Sequence, residues 1–333
     1  MNERDSFPAI TVVVSVFNKA EIVEKCVASL LDLDYPDMDI LVIEGYSIDG
    51  SYELLKKFED RVRVLRVEGN YATALNRAFD EVRTPLVALT DADCTVDGNW
   101  LRELARGFSE ADDIVAVAGY VGTGDGLPLL ATLTGVEYQE RHRNWPKYLT
   151  RSPTMNLSFK TDAARRVRFD ETLQVAIDTD FGFRLTKTGR MLYNPKAVVY
   201  HHPRTSWRSF FKQQAGFARG AFWVYRMHKA QLKGDHISSF TMIWQIPLFC
   251  VAFLTLPLGL IAAPLLYISA ALFALLLAIY LRDTIRLPIG IRYYPMMVAI
   301  LFVRTAGWAF GGLSGIASFL SRPSRTAPGD KKW

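Results

Sequence analysis

Asp91-Ala92-Asp93 closes the apolar run Leu86-Val87-Ala88-Leu89-Thr90 with two carboxylates one residue apart. Such a pair can hold a magnesium or manganese ion against a diphosphate, because these cations accept oxygen ligands and offset phosphate charge without proton transfer. It can equally cap the helical pattern at 97–106, since acids commonly cap helices. The run before it has the length and composition of a strand buried in a parallel sheet. Ligands of open α/β sheets bind beyond the carboxyl ends of strands, so the pair is expected at the edge of a crevice.

The elements that must build this crevice alternate along the first half of the chain. Strand patterns at 10–16, 39–44, 62–67, 86–90 and 114–121 are interspersed with helical patterns at 21–31, 51–58 and 73–82. In the first helix Ile22, Val23, Cys26, Val27, Leu30 and Leu31 share one face. This is the spacing of βαβ units, and it predicts an α/β fold with a mostly parallel sheet. The first four strands end in polar clusters at Asn18, at Glu44 to Asp49, at Glu68 to Asn70 and at the Asp91 pair. Polar ends converging in this way favour a nucleotide pocket.

The 333 residues are 50% hydrophobic and have a mean hydropathy of +0.09, too apolar for an ordinary soluble enzyme. The excess lies in 243–281 and 294–320. A membrane helix needs about 20 apolar residues, so the first stretch holds two spans and the second one. Pro257, Gly259 and Pro264 supply the turn between the first two. Net charge is +5. Lys212, Arg219, Arg226, Lys229 and Lys233 precede the first span, and Arg282, Arg286 and Arg292 follow the second, so both flanks are expected in the cytoplasm. A third span would leave Arg322, Arg325, Lys331 and Lys332 outside; the segment either spans despite them or returns within the interface. Residues 1–8 carry no signal peptide. The expectation is an integral membrane protein of a prokaryotic cell membrane, with its N-terminal region cytoplasmic.

Cys26, Cys94 and Cys250 are far apart and lack metal-site spacing, which fits a reducing compartment. Between 127 and 168, Arg141, Arg143, Lys147, Arg151, Lys160, Arg165, Arg166 and Arg168 mix with Trp145 and Tyr148. This stretch suits an anionic acceptor or membrane headgroups, or is a solvated basic face. No nucleic-acid motif accompanies it. Residues 207–228 mix aromatic and basic side chains as membrane-interface helices do. Gly307, Gly311 and Gly315 give the last apolar segment a face on which another helix can pack, from the same chain or from a second copy. Arg304 on that face needs an anion, either a lipid phosphate or an acid of a partner, unless the chain's own helix group packs around it.

Taken in order, these strand ends resemble the family 2 glycosyltransferases, whose catalytic domain has the GT-A fold, over residues 9–225. Val14-Ser15-Val16-Phe17-Asn18, with Glu21, resembles the motif that holds the nucleobase. Glu44-Gly45-Tyr46-Ser47-Ile48-Asp49-Gly50 resembles the second-strand motif, with Gly45 where a second acid is usual. Gly69-Asn70 through Ala74 and Asn76 resembles the segment lining the donor site, and Asp91-Ala92-Asp93 resembles the DXD motif. The resemblance implies donor contacts from Ser15, Phe17, Asn18, Glu21, Glu44, Asp49, Asn76 and Asp91. It also implies a Mn2+ or Mg2+ ion held by Asp93, with Asp91 and His201 beside it. Asp178-Thr179-Asp180 through Arg184-Leu185 is similar to the motif supplying the catalytic base, with Ile177 in place of the usual Glu, so that role falls on Asp178. On a helix, Asp180 and Arg184 at i and i+4 share a face whereas Asp178 and Asp180 do not, so Asp180 is expected to pair with Arg184. The plainer alternative for Asp178 is a helix N-cap. After the strand pattern at 197–200, His201 and His202 point to opposite faces, and His201 is favoured over His202 as the ligand. The segment 213–219 is faintly similar to the Gln-x-x-Arg-Trp motif of processive polysaccharide synthases, but lacks its Trp.

The expected organisation is a GT-A domain over 1–204, interface helices over 205–238, a transmembrane region over 239–321 and a disordered tail over 322–333. The implied function is an inverting transfer of sugar from a nucleotide-sugar donor to a hydroxyl of a membrane-presented, lipid-linked or growing glycan. A base at Asp178 favours a hydroxyl, because an ionised polyprenyl phosphate needs none. The alternatives are transfer to polyprenyl phosphate itself, and a catalytically silent GT-A membrane subunit. Membrane lipids are expected partners, as is a second copy through the glycine face; nucleic acid is not. A dehydrogenase is excluded, since no Gly-x-Gly-x-x-Gly follows the first strand.

Overall fold

The computed structural model of the chain describes residues 7–229 and 234–321. Every residue of β1 (Ile10–Val16) is buried, as a central strand covered on both faces requires. The chain then alternates through α1 (Val23–Leu31), β2 (Met38–Glu44), α2 (Ser51–Leu55, prolonged by a 3-10 turn), β3 (Arg63–Arg66), α3 (Tyr71–Glu81) and β4 (Leu86–Asp91). These strands pair in parallel in the order β3-β2-β1-β4. Val16 lies opposite Glu44 and Ser15 opposite Asp91, so the polar strand ends reach one edge together.

Beyond β4 the sheet departs from the parallel expectation. The following elements are β5 (Cys94–Val96), α4 (Trp100–Phe108), β6 (Ile114–Thr123), α5 (Leu129–Arg143), β7 (Tyr148–Leu149), β8 (Leu157–Lys160), α6 (Thr161–Val167), α7 (Ile177–Leu185) and β9 (Arg190–His201). β8 enters antiparallel between β4 and β6. β9 runs parallel to β6 and takes β5 and β7 as antiparallel neighbours. The sheet is therefore mixed. Its β5 register sets Cys94 opposite His201, which folds the segment after Asp93 back onto the end of β9. The helix expected from 97 begins at Trp100, because Asp97 forms a turn that accepts the Asn99 N–H on its side chain (3.0 Å) and the Trp100 N–H on its carbonyl (2.9 Å).

A second compact unit comprises Gly126–Glu140, which contains most of α5, and the helices from Pro203 onward. Those helices are α8 (Trp207–Met227), α9 (Phe240–Leu258), α10 (Ala263–Ile285) and α11 (Tyr294–Ser321). Three helical segments, the last running from Ile291 to Leu320, are long and apolar enough to cross a membrane. Lys233, Arg322, Arg325, Lys331, Lys332 and the expected disordered tail lie outside the described residues.

The glycine face is covered by this chain's own α8, the same-chain packing of the two expected for it. A Cβ at Gly311 would lie 2.1 Å from the Ala215 carbonyl oxygen, one at Gly307 2.9 Å from Gln214 Cβ, and one at Gly315 3.2 Å from Phe222 Cβ. The contacts advance in step along both helices, so α8 runs alongside this half of α11. Arg304 finds its anion within the same unit: Nη1 donates to Glu137 Oε1 at 2.6 Å, with the Arg304 side chain only 4% exposed. Trp308 donates to Gln214 Oε1 at 2.9 Å, and Arg219 to Ser314 Oγ at 3.0 Å. Gly311→Ala should destabilise the detergent-solubilised protein by about 1–3 kcal/mol through overpacking. Gly312→Ala, which meets nothing within 4 Å, should be neutral or gain up to about 1 kcal/mol of helix propensity. Thermal unfolding of the two variants side by side checks the pair.

Candidate active site

The site begins with two loops that lock each other. After β1, Asn18 adopts a left-handed conformation (φ 51°), donates its N–H to Ser47 Oγ at 3.0 Å and accepts the Ile48 N–H on Oδ1 at 3.0 Å. Asp49 accepts the Ala20 N–H at 3.0 Å through one oxygen and the Ser51 hydroxyl at 2.6 Å through the other. Burial raises its pKa, but these hydrogen bonds outweigh that and hold the carboxyl below its usual range. Ser51 Oγ in turn accepts the Lys19 N–H at 2.7 Å. Gly50 closes the turn with φ 92°, a conformation that L side chains rarely adopt.

The locked loop aims Lys19 at the carboxylates, and its ammonium forms an ion pair with Asp93. Asp93 Oδ1 also lies 3.8 Å from His201 Nε2. His202 meets the Asp93 backbone: its N–H donates to the Asp93 carbonyl at 2.9 Å, its ring Nδ1 lies 3.3 Å from the same oxygen, and the ring packs where Gly124 leaves room. Two residues before Asp93, Asp91 Oδ1 accepts a hydrogen bond from the Tyr71 hydroxyl at 3.0 Å, which also lies 3.3 Å from Thr154 Oγ1. Burial, and then the charge of Asp93, push the Asp91 carboxyl above the usual range, while Tyr71 and Lys19 pull the other way. Burial and the Asp91 charge likewise keep Tyr71 protonated as the donor.

Asp178 is the second residue of α7 and is delivered by Ala176 in a left-handed conformation (φ 57°). Its Oδ1 accepts the Thr179 N–H at 2.7 Å. Burial pushes its carboxyl up, and the nearby Arg151 charge opposes that rise. Asp178 is close enough for its own charge to raise Asp91 further. Arg151 is 7% exposed and donates to Thr179 Oγ1 at 2.9 Å. The i, i+4 pairing forms as expected: Arg184 Nη2 donates to Asp180 Oδ2 at 2.6 Å.

Other expected donor residues divide. Ser15 reaches the Tyr71 hydroxyl, and Phe17 is half-buried at the crevice edge of β1. Glu21 is exposed ahead of α1. Glu44 is 0% exposed, with one oxygen accepting the Ser47 N–H at 2.5 Å and the other Arg66 Nε at 2.8 Å, so it braces the loop rather than opening to a ligand. Asn76 corrects its assignment to the donor pocket. It is 2% exposed, and its amide clamps the Phe169 N–H (2.9 Å) and carbonyl (3.0 Å) together with Glu171 (2.7 Å). The basic stretch is likewise no single patch. Arg165 bonds the Phe79 carbonyl at 2.9 Å, Arg168 pairs with Asp80 at 2.8 Å, and Lys147 pairs with Glu110 at 2.8 Å. Lys19 and Arg66 join the site without a sequence expectation of their own, Tyr71 lies inside the segment expected to line the donor site, and Arg151 belongs to the stretch expected to suit an anionic acceptor. Lys19 directly follows the Val14–Asn18 motif and Tyr71 directly follows Gly69-Asn70, so adjacency was the available signal.

The donor set suits a small oxygen-seeking cation. Asp93 and His201, 3.8 Å apart, are the residues that would hold such an ion. Among the described residues, no three His, Cys, Asp or Glu side chains form a closed metal cage. That is the usual situation for ions whose remaining ligands are substrate phosphates and water.

Removing the Glu44 brace should cost about 1–3 kcal/mol, because the Ser47 N–H and Arg66 lose a buried acceptor. Glu44→Ala is expected to lower the thermal midpoint, and to weaken nucleotide binding as the loop loosens. Thermal melts and nucleoside diphosphate titration check the two effects separately.

Residues 11–172 match the family model for glycosyl transferase family 2. Glycosyltransferase AglE of Haloferax volcanii is 25% identical over 246 residues, covering 68% of this chain and 78% of that protein. The teichoic acid poly(glycerol phosphate) polymerase of Staphylococcus epidermidis is 24% identical over 180 residues, 52% of this chain but only 25% of the polymerase. A poly-beta-1,6-N-acetyl-D-glucosamine synthase of Staphylococcus epidermidis is 22% identical, covering 66% of this chain and 56% of the synthase. In fold, the chain is similar to the mannosyltransferase PcManGT from Pyrobaculum calidifontis, solved with GDP-Man and Mn2+, at a TM-score of 0.58, 18% identity and coverage of 92% of this chain and 88% of that one. It is also similar to S. aureus TarS 1–349, at 0.51, 15% identity and coverage of 93% and 92%. With its strand ends, its acid triplet and this match agreeing, residues 11–172 form a glycosyl transferase family 2 domain with a sheet of the GT-A type, and three apolar helices lie at the C-terminal side of the chain.

Proposed function

We propose that the chain is an inverting glycosyltransferase that moves a sugar from a nucleotide-sugar donor to a hydroxyl of a membrane-presented, lipid-linked or growing glycan, with its sheet unit in the cytoplasm. The observation that carries this reading is the gathering of Asp91, Asp93 and His201 at one sheet edge, with Asp178 near enough to raise the Asp91 carboxyl. The names of the relatives agree with it, since AglE is a glycosyltransferase and the synthase makes a glycan. PcManGT holds GDP-Man with Mn2+.

Asp93 and His201, with Asp91 beside them, would hold a Mn2+ or Mg2+ ion, which when bound offsets diphosphate charge as the glycosidic bond breaks. The β1 end and the Asn18–Asp49 loop pair hold the base and ribose. Asp178 takes the proton from the acceptor hydroxyl as its oxygen attacks the anomeric carbon. The bond to the diphosphate oxygen breaks and its electron pair leaves with the nucleotide. Direct attack from the face opposite the leaving group inverts the anomeric centre. A carboxyl raised by burial is a better base near neutral pH than an ordinary one, and Thr179 and Arg151 hold it in place.

Asp178→Asn should lower kcat about 10²–10⁴-fold with nucleotide affinity retained. The base works deprotonated, so kcat rises with pH through the Asp178 pKa, and the acid limb should fall above the ordinary aspartate value of about 3.9. Arg151→Met removes the charge that opposes the rise and should move the limb to still higher pH. Transfer assays across pH check all three. Unchanged transfer to a hydroxyl acceptor in Asp178→Asn would sink the base assignment.

A further inference from the structure

We infer that Lys19 is a resident counter-ion which the donor's cation must displace, and which then moves onto the donor diphosphate, so that metal and nucleotide load together rather than independently. The inference rests on the metal reading proposed above. Its basis is the Lys19–Asp93 ion pair, whose side chains are 21% and 16% exposed. Lys19 occupies the oxygen of Asp93 that does not face His201, and it does so from a fixed base. Its N–H is tied to Ser51 Oγ at 2.7 Å, the residue before it is held by Ser47 and Ile48, and the residue after it by Asp49. The backbone is pinned, and only the flexible four-carbon stem is free to swing.

Charge accounting supplies the coupling. Before either ligand binds, the Lys19 ammonium neutralises the Asp93 carboxylate. A divalent cation arriving alone must expel that ammonium from Asp93 and leave it beside a new double charge. A nucleoside diphosphate arriving alone brings about two negative charges to an edge already lined by Asp91, Asp93 and Asp178. When both arrive, the cation takes Asp93, the displaced ammonium finds phosphate oxygens, and the added charges cancel. Each ligand therefore improves the other's affinity, by a factor that is the same in both directions.

The test measures Mn2+ binding by full-length protein from the loss of the free Mn2+ electron paramagnetic resonance signal, with and without UDP or GDP; nucleotide binding is followed by calorimetry. In Lys19→Met, Mn2+ alone should bind about tenfold tighter, since it no longer displaces a charge-assisted partner. The nucleoside diphosphate alone should bind more weakly, and the coupling factor should shrink by about tenfold or more. Lys19→Arg, which keeps the charge, should retain the coupling, and its melting curve controls for folding. Unchanged or weakened Mn2+ affinity in Lys19→Met, with coupling intact, overturns the inference while leaving the metal site standing, provided that Asp93→Asn still loses Mn2+. If Asp93→Asn binds Mn2+ like the parent, the metal site and the inference fall together.

Discussion

Carboxylates that share one crevice repel, and the active edge of this sheet holds together because each acid there has been given its own compensation. Asp93 has an ammonium, Asp91 has a phenol held protonated, and Asp178 has a backbone N–H and a buried guanidinium nearby. The compensations differ in kind, and so do the acids. A mobile ammonium can be exchanged for another cation, whereas a phenol bonded to two neighbours is a fixed wall. The chemistry open to each carboxylate follows from which partner it was given.

That arrangement depends on parts of the sheet with quite different legibility in the sequence. The parallel core could be read directly, because β1 and β4 are apolar, β-branched or small runs whose last residues are polar. The Asp180–Arg184 pair could be read because helical periodicity alone brings i and i+4 together. β8 could not. Four residues of strand carry too little period to distinguish them from a loop, and its antiparallel entry between β4 and β6 depends on pairing with strands about 70 and 40 residues away. The same reason hid the Lys19–Asp93 pair and the bond from Arg66 to Glu44, since no local pattern states which distant side chain will close a given acid. Motif resemblance also treated Glu44 and Asn76 as ligand contacts, although both are spent on the fold. A polar residue that positions a loop and one that touches a ligand look alike until their hydrogen bonds are accounted for.

The two locked loops show how little regular structure is needed to hold a reactive group. Between β1 and α1, and between β2 and α2, six polar contacts among residues 18–20 and 47–51 replace the packing that a helix or strand would provide. Asn18 and Gly50 supply the left-handed turns that let the loops face each other. Glu44, 0% exposed beneath them, ties this arrangement back to β2 and β3.

The contact between α8 and α11 works as a depth gauge. Arg219 and Arg226 are exposed on α8 and stand level with Ser314 and Phe319 of α11, Arg226 lying 3.8 Å over the Phe319 ring. Exposed guanidinium groups belong among headgroups or water, not hydrocarbon. Residues 294–306, which precede this contact, make about 20 Å of helix, and a bilayer core is about 30 Å thick. The glycine contact thus sets the level of the α8 guanidinium groups along α11, and a slip of one turn along it would shift α8 by about 5.4 Å.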